Sequence, residues 1–524
     1  MRRPPAMGTL LALIVSAASL GAQAIPVKEH VLKNGLRVLL VERPGQATIG
    51  TAWAAHAGSA NERPGITGAA HLLEHMMFKG SQVIGTTDIA KDRELDAKQD
   101  ALYAEITKEL DLLRVKQLRG EIADLHDPKV RSPRHQQLVE ELAKAVKAQQ
   151  DLLRKGEFDV AYTEIGAPNT NAFTSNDVTA YILTIPANRL EFWAWMESDR
   201  LNTPVFREFY AERDVVNDER RLSEARPTGR FEEAFQSVVW QAHPYSWPVV
   251  GWGSDISTIT RAELTDFFKR NYAPNNVTLS LVGGFKASEV LPLLERYFGR
   301  IPANPAGAPV VKTLEPKQVA PTRMVAEADT PPSARIVWKT VAQAHKDQCA
   351  LDLLGRVLSG ASGRLNKALV LDQKVALGVG GFHRPQKFGG TFTVAGMASQ
   401  GQSPENVEKA LNAPDTAVEF TDLFADFCCL CVNLDTQGCK AHKEFAGYGT
   451  TFPQAVQISP ALKRDSDTMM RILGLAWGTP VTVRRLLALC VAKAPDPAAL
   501  PGFPLPRKEW DDYRTGISRV AART

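Results

Sequence analysis

The segment that most constrains this chain is His71-Leu72-Leu73-Glu74-His75. On a helix, His71 and His75 are four residues apart and project from one face about one turn apart. Two imidazoles at that separation can share one zinc ion, and Glu74 lies close enough to touch a water on the metal without being a ligand. Chance produces this pattern in only about one chain in a hundred, given the frequencies of the residues involved. The alternative is two surface histidines beside a carboxylate, because a catalytic zinc site needs a third protein ligand from elsewhere.

Composition places the chain among soluble globular proteins. Hydrophobic residues make up 44% of the 524 residues and charged residues 23%, which argues against a disordered or fibrous chain. The length predicts two to four domains at roughly 100 to 200 residues each. A net charge of +4 is close to neutral for a chain of this length. Nucleic-acid binding usually needs a concentrated basic face, so we expect no nucleic-acid partner.

The first two dozen residues are typical of a secretory signal peptide. Arg2 and Arg3 precede an apolar run over residues 7–20, and Ala22-Gln23-Ala24 supplies small residues for a signal peptidase. An uncleaved anchor is the alternative, but the run is short for a membrane-spanning helix. No later stretch has the length of a membrane span. We therefore expect residues 1–24 to be removed and the protein to be periplasmic or secreted.

Turn and cap signals predict several elements of an αβ pattern. Asn34-Gly35 predicts a hairpin over residues 31–39, and a strand follows over residues 48–57. Pro64-Gly65 predicts the start of the helix that carries the two histidines, ending at Gly80. Thr203-Pro204 predicts the start of another long helix, with threonine at its cap and proline in its first turn.

Residues 87–155 have a different pattern. Leu95, Leu102, Ile106, Leu110 and Leu113 recur among dense charged residues, and a turn region precedes a second helical run. This predicts an antiparallel helical hairpin of coiled-coil character. We interpret it as a solvated arm inserted at a loop, because long insertions in surface loops cost little free energy.

Several segments together resemble the pitrilysin/insulinase family of zinc peptidases, whose relatives include the mitochondrial processing peptidase. The residues that carry the resemblance span about 30–300, with weaker likeness to about residue 411. They are Gly68-Ala69-Ala70-His71-Leu72-Leu73-Glu74-His75-Met76-Met77-Phe78-Lys79-Gly80, Asn171-Ala172-Phe173-Thr174-Ser175 with Asp177, Thr179 and Tyr181, Glu212-Arg213-Asp214-Val215-Val216-Asn217-Asp218-Glu219-Arg220, His243-Pro244-Tyr245, Gly251, and Asn271-Tyr272-Ala273-Pro274-Asn275-Asn276.

The resemblance implies a set of site residues. It implies that Glu219 is the third zinc ligand beside His71 and His75, and that Glu212 orients a metal-bound imidazole from one helical face with Glu219. Glu74 would act as the general base of peptide hydrolysis. The resemblance also implies that Asn171, Ala172 and Phe173 bind a peptide substrate as an added strand. Neither His56 nor His126 has a partner at ligand spacing, and His243 belongs to a turn. We expect these histidines to be structural.

The resemblance further implies an α+β fold of tandem metallopeptidase domains of the processing-peptidase type, with antiparallel sheets packed with helices and the inserted hairpin. We expect a zinc-bearing domain over residues 25–300, a proline-rich linker over 301–321 and a partial second αβ domain over 322–411. Residues 412–524 form a tail that matches nothing in the family. It contains Cys428-Cys429-Leu430-Cys431, which is a weak metal pattern. The tail is either translated out of the ancestral frame or an unrelated extension.

Two hypotheses for function follow. The first is an exported zinc-dependent endopeptidase that hydrolyses peptides or small unfolded proteins. The second is a zinc-bearing but incomplete or non-catalytic peptide-binding subunit. Family members grip substrate with an arginine and a tyrosine of the second half, and the corresponding positions here are Val370 and Leu377. We therefore expect a homo- or hetero-dimer in which a second half supplies these residues.

Overall fold

The computed structural model describes residues 25–125 and 127–413. The chain divides into two compact units. The first contains Pro26–Pro331 with Gln386–Phe388, and the second contains, among the described residues, mainly Pro332–Pro385 and residues 389–413. None of the helices in the described ranges combines the length and the apolar character that a bilayer crossing demands. The predicted signal peptide at 1–24, His126 and the cysteine-rich part of the predicted tail lie outside the described residues.

The first unit contains a mostly antiparallel six-stranded sheet, in the order β1-β2-β6-β3-β5-β4. Its only parallel pair is β2 with β6, and β4 lies at one edge beside β5. The predicted hairpin at Asn34-Gly35 joins β1 to β2, with Gly35 at a positive φ of 85° that suits glycine. The strands are Lys28–Val31 (β1), Arg37–Glu42 (β2), Thr48–Ala55 (β3), Asn171–Thr174 (β4), Thr179–Pro186 (β5) and Val277–Gly283 (β6).

Helices pack on this sheet and enclose the main core. Along β3, every second residue is buried, as expected for a strand with one face on a core. Trp53 on β3 and Trp193 on a helix are both almost fully buried there. The helices of the unit are Ala69–Met76 (α1), Ile89–Leu118 (α2), Pro133–Gln150 (α3), Glu157–Glu164 (α4), Leu190–Asn202 (α5), Phe209–Glu224 (α6), Gly229–Val239 (α7), Gly253–Thr258 (α8), Arg261–Asn271 (α9) and Ala287–Tyr297 (α10).

Two predicted helix starts are wrong. The histidine helix begins at Ala69 rather than at Pro64-Gly65, because Gly65 and Gly68 both take left-handed backbone conformations that interrupt a helix. The second helix begins at Phe209 rather than at Thr203-Pro204. Residues 203–207 instead lie beside the segment that follows α1, and the Val205 N–H donates to the carbonyl oxygen of Gly80 at 3.2 Å.

The predicted helical hairpin is present as α2 and α3. The two helices are antiparallel, since Gln99 pairs with Gln149 at 2.9 Å near the base and Ser132 donates to Glu109 at 2.6 Å near the tip. Its base is joined by a β-bridge between Thr86 and Leu153. The fold class predicted from the sequence, α+β with an inserted helical hairpin, is confirmed.

The second unit has a three-stranded antiparallel sheet in the order β7-β9-β8. One face of the sheet packs on helices around Leu354, Phe392 and Val407, whereas Leu377 and Phe382 on β8 are 63% and 54% exposed. Its elements are Ser333–Thr340 (β7), Gln348–Leu358 (α11), a π-helix at Asn366–Asp372, Ala376–Pro385 (β8), Gly390–Ala398 (β9) and Pro404–Leu411 (α12).

Candidate metal centre

The helix that carries the two histidines is held at its first turn by a buried carboxylate. Gly68 precedes α1 with a φ of 88°, and the backbone N–H groups of Gly68 and Ala70 donate to Glu62 at 2.9 and 2.8 Å. These two hydrogen bonds satisfy N–H groups that have no partner within the first turn of a helix, while burial raises the pKa of Glu62 well above its usual value. Glu62 therefore fixes the place where α1 begins, and with it the direction of the histidines.

The three predicted metal ligands converge. His71 and His75 have ring centroids 4.8 Å apart. The Nε2 atoms of both rings lie 3.7 Å from the same atom, Oε2 of Glu219 on α6. One nitrogen from each ring and one carboxylate oxygen all lie within 4.8 Å of one another. Two imidazoles and a carboxylate are a donor set that catalytic zinc sites use, with a further position left for water or substrate.

Glu212 is not one of the three converging residues but contacts one of them, His75. Its Oε1 is 2.9 Å from Nδ1 of His75, and its Oε2 is 2.6 Å from Nζ of Lys79. Burial alone would raise the pKa of Glu212, but the hydrogen bonds from His75 and Lys79 outweigh it and lower the pKa to about 2. The ionised carboxylate fixes a proton on Nδ1 of His75, which leaves Nε2 of that ring free for a metal.

The electrostatics of the two histidines suit a cation between them. Burial and the neighbouring His75 lower the pKa of His71 to about 4, so this ring is neutral at physiological pH. Burial also acts to lower the pKa of His75, but the hydrogen bond from Glu212 and the charges of Glu219, Glu212 and Glu74 raise it overall. A divalent cation would replace the proton that His75 otherwise holds among three carboxylates. The residues therefore fit a zinc ion.

Glu74 lies beside this cluster without belonging to it. The hydroxyl of Thr174 on β4 donates to Oε2 of Glu74 at 2.5 Å. Partial burial raises the pKa of Glu74 despite this hydrogen bond. A carboxylate with a raised pKa is a better proton acceptor and donor near neutral pH than an ordinary glutamate.

The predicted peptide-binding residues lie on the edge strand next to Glu74. Asn171 and Phe173 are exposed on β4 while Ala172 is half-buried, and β4 pairs with β5 on one side only. A cavity of about 500 Å³ adjoins this strand, with Glu74, Phe78, Phe158 and Ala172 among its lining residues. An extended peptide added to β4 would run past both Glu74 and this cavity.

Three residues of the site were not predicted from the sequence. Thr174 and Lys79 lie within segments that carried the family resemblance, and Lys79 is four residues after His75 in the sequence, just past the end of α1 at Met76. That spacing could have indicated a shared partner for both. Glu62 carries no such signal, because its partners are backbone groups.

The other histidines lie elsewhere. His56 contacts the Thr278 hydroxyl at 2.8 Å. His243 is buried, with Nδ1 accepting the backbone N–H of Tyr245 at 3.2 Å. Neither ring belongs to the described cluster.

The chain is similar in sequence to zinc proteases. Residues 37–108 match the profile of Insulinase (Peptidase family M16), and residues 258–414 match the profile of the Peptidase M16 inactive domain. The zinc protease PqqE of Helicobacter pylori is 26% identical over 70% of this chain and 68% of that protein. An uncharacterised zinc protease of Mycobacterium bovis is 22% identical over 62% of this chain and 56% of that protein. A protein of Schizosaccharomyces pombe named "Probable mitochondrial-processing peptidase subunit beta" is 23% identical over 60% of this chain and 54% of its own length.

Solved structures show the same fold. A protease from Helicobacter pylori superposes with a TM-score of 0.57 and 20% identity, covering 95% of this chain and 96% of that one. The periplasmic protease PqqL from Escherichia coli superposes with a TM-score of 0.50 and 15% identity, covering 95% of this chain and 48% of that one. The chain therefore spans about half the length of PqqL.

Proposed function

From the premise that the chain belongs to the insulinase (peptidase M16) family, we propose that it is a zinc-dependent endopeptidase. The observation that carries the proposal is the convergence of His71, His75 and Glu219, with Glu212 oriented on His75. Relatives of the chain are named zinc proteases, which supports a peptidase class.

His71, His75 and Glu219 would hold the metal, and Glu212 would hold His75 in the tautomer that binds it. Zinc, when bound, supplies a Lewis acid that polarises a peptide carbonyl and lowers the pKa of water. The neutral state of His71, with its pKa of about 4, means that binding at this ring displaces no proton at physiological pH. Because the metal would supply the Lewis acid, removing zinc should remove the activity.

Glu74 would be the general base and then the general acid. It takes a proton from the attacking water and passes it to the departing amine nitrogen, so the carboxylate ends as it began. The Thr174 hydroxyl would hold Oε2 of Glu74 in place during both transfers. Because Thr174 belongs to β4, this hydrogen bond links Glu74 on α1 to the strand that would receive substrate.

The substrate would bind as an additional strand on β4. Asn171, Ala172 and Phe173 lie on the open edge of the sheet, where backbone hydrogen bonds give affinity and tolerate varied side chains. This mode suits extended peptides and unfolded segments rather than folded proteins. We further propose that the protein is exported through a signal peptide at residues 1–24, in keeping with a relative described as a periplasmic protease.

A second candidate function is a zinc-bearing subunit that depends on a partner half. It is favoured by Val370 and Leu377, which stand where the family has its substrate-gripping arginine and tyrosine. Leu377 is 63% exposed on β8, so no polar grip is offered at that position. A second copy or a related chain would then supply the missing residues.

Metal analysis and a peptide assay test the proposal. We expect the purified protein to contain about one zinc per chain and to cleave a quenched unfolded peptide, with loss of cleavage on chelation and recovery on adding zinc. Glu74→Gln should keep the zinc and lose at least about a hundredfold in kcat, as general bases contribute at least this much. Glu94→Gln, at an exposed pair on α2, is the matched control.

The outcomes separate the two candidates. Unchanged cleavage by Glu74→Gln, or protein that binds no zinc, would refute the peptidase assignment. Zinc bound without cleavage, with cleavage appearing when a partner half is added, would support the second candidate.

A further inference from the structure

The inserted hairpin does not behave as a free arm, because one face of α2 is buried through polar contacts. Four residues on this face follow one another at spacings of four, four and three: Asp92, Asp96, Asp100 and Tyr103. These spacings place them along one side of the helix. Asp92 is fully buried and Asp96 is 9% exposed. Buried carboxylates need charged or hydrogen-bonding partners, and the cationic partners here come from outside the hairpin.

The first two carboxylates hold the base of the hairpin to the body of the unit. Asp92 forms an ion pair with the buried Arg207, which also donates to the carbonyl oxygen of Lys79 at 3.1 Å. Asp96 forms an ion pair with Arg261, the first residue of α9. Gln149 of α3 donates to both carboxylates, at 2.7 and 2.8 Å. The α2 helix thus contacts segments that flank the metal centre, and Gln149 ties α3 to α2 at the same two carboxylates.

Asp100 and Tyr103, the next two residues on this side of α2, contact α6 itself. The hydroxyl of Tyr210 donates to Asp100 at 2.8 Å, and the rings of Tyr103 and Tyr210 stack with centroids 4.3 Å apart. The guanidinium of Arg213 donates to the Tyr103 hydroxyl and lies 4.3 Å from the centre of that ring. The Tyr103 hydroxyl in turn donates to the Ser257 carbonyl at 3.1 Å.

These contacts lie on the side of α6 away from the metal ligands. At about 3.6 residues per turn, Tyr210 is about half a turn around the helix from Glu212 and from Glu219. One side of α6 therefore contacts α1 through Glu212 and His75, and the other contacts α2 through Tyr210 and Arg213. Glu219 lies on this same helix, so a shift of α6 would change the distance from Glu219 to the histidines.

We propose that the inserted hairpin braces α6 and thereby sets the position of Glu212 and Glu219 relative to His71 and His75. Asp100 and Tyr103 are then positioning residues, which act on the metal centre through α6 without touching it. The inference rests on the proposed function in one respect, since it takes these four side chains as the zinc site. The distal part of α2 has no such role: Leu112 and Leu118 are 62% and 82% exposed.

Asp100 and Tyr103 are the best positions for a test. Removing the carboxylate of Asp92 would leave Arg207 buried without its counter-charge, and such variants commonly fail to fold. Asp100 is 41% exposed, and Tyr103→Phe keeps the stacked ring while removing the hydroxyl that Arg213 contacts. Glu109→Gln is the matched control, because Glu109 lies on the same helix and receives only the Ser132 hydroxyl of α3 among the contacts described.

The experiment measures zinc affinity and amide exchange in the full-length protein. Zinc competition with a chelator should show about tenfold weaker binding in the Asp100→Asn, Tyr103→Phe double variant, the lower end of what outer-shell changes cost. Hydrogen–deuterium exchange of the metal-free double variant should be faster in α6 and unchanged in β3 and β5. Glu109→Gln should match the wild type in both measurements.

A double-mutant cycle separates positioning from general destabilisation. If Asp100 acts through Tyr210, then Asp100→Asn should weaken zinc binding in the wild type but much less in a Tyr210→Phe background. Wild-type zinc affinity and wild-type α6 exchange in the double variant would overturn the brace. Absence of zinc from the wild-type protein would instead refute the proposed function, while the exchange of α6 in metal-free protein would still test the brace.

Discussion

Substitution of Glu212 by glutamine offers the sharpest test of how the metal centre is organised. The carboxylate of Glu212 is 13% exposed and lies between Nδ1 of His75 and Nζ of Lys79. Its pKa is lowered from 4.5 to about 2, which corresponds to about 3 kcal/mol in favour of the ionised form. This is a net free energy, since burial opposes ionisation and the contacts with His75 and Lys79 together outweigh it. If His75 accounts for half of it, its hydrogen bond contributes about 1.5 kcal/mol.

We therefore expect Glu212→Gln to weaken zinc binding by about tenfold, since about 1.4 kcal/mol is a factor of ten in an equilibrium constant. Glutamine can still accept a hydrogen bond from His75, but it carries no charge to favour the orientation and basicity of that ring. Zinc affinity is measured by competition with a chelator, and the KM for a peptide should stay near its wild-type value.

Glu208→Gln is the matched control for this prediction. Glu208 lies 3.6 Å from the same Lys79 ammonium but contacts neither histidine in the described ion pairs. Zinc affinity should therefore stay within about twofold of the wild type, because only the interaction with Lys79 changes and exposed or half-exposed pairs contribute little. Equal losses in both variants, or no loss in Glu212→Gln, would refute the argument that His75 is oriented by Glu212.

Two further predictions concern protons and peptide binding. Zinc affinity should fall by about tenfold per pH unit between about pH 6.5 and 5, because the pKa of His75 is raised and its protonated form competes with the metal, whereas His71, with a pKa of about 4, is already neutral. A slope of two protons in the chelator competition would contradict this assignment. Ala172→Pro should raise the KM for peptides at least about fivefold and leave zinc affinity unchanged. It removes a backbone N–H of the edge strand β4 that donates to Oδ1 of the adjacent Asn171 at 2.9 Å and that an added peptide strand would take over. An unchanged KM would mean that peptides bind elsewhere.

Part of this site could be predicted from the sequence because its signals are local. The spacing of His71 and His75 places both rings on one face of a helix whatever surrounds it. The hairpin at Asn34-Gly35 likewise depends on the turn alone, and the structure has it. Glu219 was reached only through the family resemblance, since no local rule ties a glutamate to histidines more than a hundred residues earlier.

The errors arose where a tertiary contact overrides a local preference. Thr203-Pro204 has the residues of a helix start, yet Val205 hydrogen-bonds to Gly80 and the side chain of Arg207 is buried behind it. The helix can begin only after Glu208, which turns the chain with a positive φ of 54°. A cap signal indicates only the local conformational preference of a segment. Here the contacts with a neighbouring segment override that preference.

The buried polar face of the inserted hairpin is also missed by local patterns, although the spacing of its aspartates bears on it. Hydrophobic periodicity assigns Asp92, Asp96 and Asp100 to a solvated face, because polar residues are usually exposed. Like charges four residues apart destabilise an isolated helix, however, so three aspartates in a row on one side call for cations from elsewhere in the chain. In the structure Arg207 and Arg261 supply those cations to Asp92 and Asp96. In this chain the repeated like-charge spacing therefore marks a face of α2 with polar contacts to the rest of the unit, and the contact of Asp100 with Tyr210 reaches the helix that carries Glu219.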